Sequence, residues 1–369
     1  MKAPESRAFV IRASFDNGAT AIAFLEHGYI PGLEAQAAAF VAKHGKAPRD
    51  QDFPEEVIRL RPARPTRPPL LIIGGMGPLA GARAMIEAIG TFDDTREIVL
   101  LQLCKTPDRS EALEADGKNA ARSERHERIV QHIASALVEA EGLLETTPPG
   151  RFAHLVVACN TAHHFVPDAF QRYADLRADG ALLQLASLVD CTTRALSRLR
   201  SASQVVVLGT TGTLSTRLYL GPLEAAGVGC VVPGTHAHPS SEDSDEAPSA
   251  QQALTNAIYR GVKAFDDKAS VRHGEAVFRK MVEAGQIESG VPFVVLAACT
   301  EVRDIIDKLL TQGSPEVRLL LAHARIVEPI SVTFEHVKRA DAADTVDTAK
   351  PSSKTATTPS LRPLHACSA

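Results

Sequence analysis

Two stretches, LLIIGGMGPLAG at residues 70–81 and HLVVACNTAHHF at 154–165, are echoed by VVVLGTTGTLST at 205–216 and FVVLAACTEVRD at 293–304. In each pair an apolar run ends in a turn of small residues. Some 85 to 90 residues later a second apolar run ends in Ala-Cys, followed directly or after one Asn by Thr. Self-similarity of this kind fixes an architecture before any single motif does. It predicts a duplicated chain that presents one thiol, Cys159 or Cys299, at each of two related strand ends.

Around these anchors the pattern alternates. LLIIGG, EIVLLQL, HLVVAC, LLQLASL, QVVVLG, GCVVPG, FVVLAAC and ARIVEP are short, continuously apolar runs, separated by amphipathic stretches such as NAARSERHERIVQHIASALVEAEGLLE and GEAVFRKMVEAGQIE. That alternation predicts an α/β fold of two pseudo-symmetric domains, each a parallel sheet flanked by helices, with a cleft between them. The expected boundaries are a leader over 1–68, closed by the Pro/Arg run RLRPARPTRPP, then a first domain over 69–200 and 315–338. A second domain covers 201–314. Within it the polar segment 236–250 reads as a mobile loop, and the Ala/Thr/Ser/Pro-rich residues 339–369 read as a disordered tail. The leader has apolar segments of its own (FVIRASF, AIAFLEHGYI) and should pack on the body, in a role the residues do not reveal.

Composition excludes several classes. The 369 residues are 44% hydrophobic and carry a net charge of −4, with no basic excess for nucleic acid. No apolar run approaches the roughly 18 residues a membrane span needs. The opening MKAPESRAFVIRASF lacks a signal-peptide pattern, and the six cysteines show no metal-ligand spacing, so free thiols and a cytoplasmic location are expected.

Four strand ends carry polar or small residues: Gly74–Pro78, Cys159–Thr161, Thr210–Thr213 and Cys299–Glu301. Ligands of open parallel sheets bind beyond such ends. A Cys just before a helix meets amides that favour thiolate, and a free thiol titrates near 8.5, so both cysteines are candidate acid/base groups. A lone buried Cys is more often a small hydrophobe; two at equivalent places, each followed by Thr, point to chemistry instead. GGMGPLAG misses the GxGxxG spacing by one residue and lacks the P-loop lysine, which leaves a tight turn approaching a small anion.

In order along the chain, GGMGPLAG, TPDRSEAL (106–113), VVACNTAH (156–163), LGTTGTLSTRLY (208–219), AIYRGVKA (257–264) and LAACTEV (296–302) resemble the pyridoxal-phosphate-independent aspartate/glutamate racemase family. The match is closest to its aspartate racemase branch and covers roughly residues 69–335. The resemblance implies an isomerase that needs no cofactor and no metal, commonly a homodimer, acting on aspartate or glutamate in the interdomain cleft. By the same resemblance Cys159 and Cys299 are the two bases on opposite faces of Cα. Asn160, Thr161, Thr211, Thr213 and Thr300 would hold the α-carboxylate and amino group, and Met76 and Gly77 would line the turn beside the substrate. Arg109 and Lys263 would clamp the side-chain carboxylate, a contact worth about 1.5–3 kcal/mol when charge-assisted and desolvated.

Departures from the family pattern are Ala298 before the second cysteine and Phe265 where a Gly closes the lysine motif, a change expected to reshape the pocket wall. Two other readings keep their place. Relatives of this fold decarboxylate arylmalonates, isomerise maleate or racemise hydantoins; the paired cysteines count against the one-cysteine decarboxylase, and Arg109 with Lys263 counts against apolar pockets. A non-catalytic protein that binds acidic amino acids is the third reading.

Overall fold

The structure, a computed structural model, describes residues 9–117, 122–144, 152–177, 182–199, 204–234 and 249–348. Among the described residues ten strands form two sheets: β1 (Val10–Phe15), β2 (Glu56–Leu60), β3 (Leu70–Gly74), β4 (Ile98–Gln102), β5 (Ala153–Val157) and β6 (Leu183–Leu185) in the first, β7 (Val205–Leu208), β8 (Cys230–Val231), β9 (Phe293–Ala297) and β10 (Ala324–Val327) in the second. Their orders are β1-β2-β4-β3-β5-β6 and β10-β9-β7-β8. Read from β4 and from β8, the parallel strands β4-β3-β5-β6 and β8-β7-β9-β10 have the same connectivity. The duplication predicted from the two motif pairs is therefore present in the topology.

Each half starts at a central strand, steps to one side, and returns to the other. The reversal leaves a crevice at the carboxyl ends of β3 and β5, and of β7 and β9. The motif residues Gly75–Gly77 and Cys159 follow the first pair; Thr210 and Cys299 follow the second. Because helices cover both faces, β3, β4, β7 and β9 are buried throughout, and β5 is buried except at His154. Leu70 and Ile72 of β3 join one apolar cluster while Leu71 and Ile73 join the other, as a period of two requires.

Three boundaries differ from expectation. The leader supplies its own βαβ unit: β1, a helical stretch over Gly18–His44, and β2 parallel to β1. β2 pairs antiparallel with β4, so the first sheet is mixed rather than purely parallel. Ala21, Leu25, Leu33 and Phe53 of the leader share a core cluster with Leu70, Ile72 and the helix Pro78–Phe92, which makes the leader part of the first domain.

The expected return of 315–338 to the first domain is split. Helix Pro315–Ala322 packs on Thr300–Gln312 and β10 pairs with β9, while the helix Pro329–Thr348 packs on Leu188–Leu196 and Pro78–Phe92 of the first half. The expected disorder from 339 fails through 348, because that last helix buries Phe334, Val337 and Asp341. Asp341 pairs with the fully buried Arg96 and lies 3.3 Å from His154 Nε2. Most of the loop 236–250, and the tail from 349 with Cys367, lie outside the described residues.

Candidate active site

Cys159 and Cys299 line one cavity. Around them stand Met76, Arg109, Ser110, Asn160, Thr161, Thr210, Tyr259, Lys263, Thr300 and Glu301, drawn from both halves of the chain. The cavity measures about 20 Å³, room for roughly one water molecule. A larger cavity of about 230 Å³ lies on the far side of Thr300, lined by Arg83, Glu87, Asp304 and Glu328; it contains neither cysteine.

Local structure explains the positions. Cys299 is the N-cap of the helix Thr300–Gln312, in extended backbone conformation, so its thiol sits at the mouth of that helix. Cys159 leads into the short helix Thr161–His164. Behind it, buried His163 links its Nδ1 to the Cys159 carbonyl at 3.0 Å, and its Nε2 accepts from the Leu188 amide at 3.2 Å. Accepting at Nε2 assigns the proton to Nδ1, and burial lowers this imidazole to about 4, so it stays neutral and braces the cysteine backbone. Lys263 follows a π-turn at Ala257–Val262, its amide bonded to the Ile258 carbonyl five residues back. Such wide turns occur frequently at functional sites; this one presents Tyr259 and Lys263 to the cavity, with Nζ 5.3 Å from the ring centre.

The thiols are not depressed, contrary to expectation. Burial raises Cys159, more than offsetting the pull of the Arg109 charge and the Ala162 amide. Burial and then the Glu301 carboxylate raise Cys299 well above the ordinary thiol value. Cys299 donates to Glu301 Oε2 at 2.9 Å, and the Thr300 hydroxyl donates to the same oxygen at 3.0 Å. Glu301 thus holds the second cysteine as a thiol. The two sites share a fold position and differ in charge: a guanidinium acts on one sulfur, a carboxylate on the other.

Other expected residues separate into those lining the cavity and those behind it. Met76, Asn160, Thr161 and Thr300 line it. Asn160 Oδ1 accepts from the Tyr219 hydroxyl, and its buried Nδ2 has no partner among the described residues. Thr213 lies one layer back, where its hydroxyl meets those of Thr161 at 2.9 Å and Thr210 at 3.1 Å. Thr211 is exposed and does not line the cavity; Thr210, the N-cap just before it, does. Gly77 makes no wall of its own, yet a Cβ there would lie 2.3 Å from Glu301 Oε1. Phe265 is likewise not a wall residue.

Arg109 and Lys263 converge as expected, but on a group that sequence reasoning missed. Asp50 Oδ2, from the leader, lies 3.1 Å from Arg109 Nη2 and 2.7 Å from Lys263 Nζ. Burial opposes the Asp50 charge, and the two cations override it, holding the carboxyl below its usual range. Arg109 also donates to the Met76 carbonyl at 3.0 Å, and Lys263 lies 3.8 Å from Glu301 Oε1. Nothing in the surroundings RDQDF marks Asp50 as a site residue; its signal is purely spatial. Glu301 was visible as the residue after Cys-Thr, without an assigned role.

No protein-family model matches the chain, and no curated protein does. Among solved structures it is similar to an aspartate racemase from Picrophilus torridus (19% identity, 75% of this chain and 95% of that one, TM-score 0.48). It is also similar to an aspartate racemase homologue from Pyrococcus horikoshii (16%, 75% and 100%, 0.43) and to a glutamate racemase from Bacillus anthracis (13%, 76% and 84%, 0.40). All three TM-scores are below 0.5, so the chemistry of the cleft rests on its own geometry.

Proposed function

We propose that the chain is a cofactor-independent amino-acid racemase in which Cys159 and Cys299 exchange protons with one Cα from opposite sides. The observation that carries this reading is that both thiols, one from each half of a duplicated fold, line a single cavity with Arg109 and Lys263. Among the described residues no metal-ligand set accompanies the two buried thiols, and a pair of thiols in one cavity suits proton transfer.

The charge asymmetry assigns the resting roles. Cys299, hydrogen-bonded to Glu301, is the acid; Cys159, facing the Arg109 charge and the Ala162 amide, is the base. The reverse reaction exchanges them. Burial raises both thiols, which makes each thiolate a stronger base toward a weakly acidic C–H. Asn160 Nδ2, without a partner among the described residues, and the hydroxyls of Thr161 and Thr210 are the donors for the substrate α-carboxylate, where charge grows as the proton leaves. Each positioned acid or base contributes about 10²–10⁴-fold. Since the cavity holds only about one water, the walls must part to admit an amino acid and then reclose, excluding solvent.

The test is loss of function at either sulfur. Cys159→Ser and Cys299→Ser should each reduce racemisation by at least about 10²-fold while leaving the fold intact by circular dichroism. Near-normal turnover in either variant would overturn the two-base reading. The aspartate or glutamate preference implied by the family resemblance requires Arg109 and Lys263 to be free for a second carboxylate, and Asp50 engages both.

A further inference from the structure

The leader brings a carboxylate of the chain itself to the two cations that would receive a substrate's distal carboxylate. Asp50 is not loosely placed. It begins a short helix, Asp50–Asp52, closed on itself by Arg49 and Asp52, whose amide-to-carboxylate and amide-to-carbonyl bonds are 2.7 and 2.9 Å. On one side Glu55 accepts from the Lys105 amide at 3.0 Å and lies 2.9 Å from His132 Nε2. Next to it the Gln51 side chain donates to the Thr106 carbonyl at 3.4 Å, and Lys105 Nζ donates to the Gln51 carbonyl. On the other side Phe53, 4% exposed, packs 6.3 Å from the Phe265 ring.

Phe265 has φ +56°, a left-handed conformation that suits glycine and burdens a side chain. The departure from glycine at this position therefore braces the leader loop at a conformational cost, instead of reshaping the pocket wall.

We propose that Asp50 is a specificity-determining residue: it permanently fills the side-chain carboxylate subsite, so the enzyme rejects dicarboxylic amino acids and accepts those with a short, uncharged side chain. This rests on the racemase reading of the same cavity. Charge counting explains the selectivity. Arg109 and Lys263 are already matched by Asp50 and Glu301, with Asp108 and the Cys159 sulfur as further negative neighbours of Arg109, so neither cation is left unbalanced. A zwitterionic amino acid enters without disturbing that balance, whereas aspartate or glutamate adds an anion with no unpaired cation to meet it. A buried charge without a partner is strongly disfavoured.

The experiment compares the full chain with Asp50→Ala and Asp50→Asn on L-alanine, L-serine, L-aspartate and L-glutamate, alongside calorimetric binding of succinate as a non-reacting dicarboxylate. The wild-type chain should exchange the α-proton of alanine or serine at least about tenfold more efficiently than that of aspartate. Removing the Asp50 charge should reverse this preference and tighten succinate by at least about tenfold, as expected for a charge-assisted contact.

Asn keeps the size of Asp, so the subsite can be tested even if the Ala variant folds poorly. Acetate should raise the melting temperature of Asp50→Ala and leave the wild type unchanged. Wild-type turnover of aspartate equal to that of alanine would overturn the proposal. So would an equal gain on every substrate in both variants, which marks a displaceable plug. If no amino acid exchanges its α-proton in any of the three proteins, the racemase reading fails. Succinate then still decides the subsite: tight binding only in the variants upholds its occupancy by Asp50, and equal binding refutes it.

Discussion

Gly77 adopts φ +130° at the start of the helix Pro78–Phe92, and its absent Cβ is what lets Glu301 approach. Gly77→Ala forces a Cβ to 2.3 Å from Glu301 Oε1 in a backbone region closed to L side chains. It should cost at least about 1–3 kcal/mol in urea unfolding and displace the carboxylate that holds the Cys299 thiol; an unchanged midpoint would mean that the turn relaxes freely.

Glu301 itself gives a sign. It raises Cys299, so Glu301→Gln should lower that thiol's pKa. The alkaline limb of kcat/KM, where the acid form is lost, then moves to lower pH; a limb that stays put or moves up would remove Glu301 from the proton path. Residues whose chemistry lies in a local motif were legible from sequence: Cys159, Cys299, Arg109 and Lys263 all reach one cavity. Asp50 was not, because it meets Lys263 across 213 residues and no spacing rule links them. Thr211 was named from sequence where Thr210 lines the cavity, because a run of two threonines does not reveal which one caps the helix.

The eight apolar runs named from sequence all became strands; continuous burial leaves a strong signal in β3, β4, β7 and β9, while β6, β8 and β10 are only partly buried. β1 and β2 were missed as strands because VIRASF and EVIRL carry charged residues: exposed Arg12, and Arg59 paired with Glu97 at 3.1 Å. Residues 339–348 of the final helix were read as the start of a tail because their Ala/Asp/Thr composition hides one buried ion pair. Arg96 is fully buried; its guanidinium lies 4.2 Å from the Phe92 ring centre, and among the described residues its Nε and Nη1 have no hydrogen-bond partner, so Asp341 carries its charge compensation. Asp341→Ala should therefore cost about 3–5 kcal/mol, read by urea denaturation; a loss below about 1 kcal/mol would mean the guanidinium reaches solvent.

The same helix has a pH-sensitive start. Glu328 accepts from the Ser331 amide at 2.7 Å and its hydroxyl at 2.9 Å, and burial followed by the Glu87 charge raises it to about 7. Between about 4.5 and 7 the folded chain binds more protons here than the unfolded one, so stability falls as pH rises. Glu328→Gln should flatten that decline, and an undiminished slope would assign it to other groups.

The molecule as a whole is two copies of one four-strand topology, with their crevices meeting at a common cavity and a leader built into the first sheet. Duplication explains why one thiol comes from each half. The leader's βαβ unit explains how residue 50 reaches the cleft, since the chain leaving the helix Ile30–His44 must cross to β2, between the edge strand β1 and β4. Among the described residues no helix is long and apolar enough to cross a membrane.

Two sulfurs on opposite sides of one Cα leave an isotopic signature that a single base does not. Single enantiomers of alanine, serine, aspartate and glutamate should be followed in deuterium oxide, without added cofactor, during the first few per cent of conversion. The product enantiomer should carry deuterium at Cα from the start, while the unreacted enantiomer keeps its protium, because one thiol delivers solvent-derived hydrogen and the other takes the original proton. Equal early labelling of both enantiomers, or a product that retains the substrate's protium, would contradict proton transfer by two opposed cysteines.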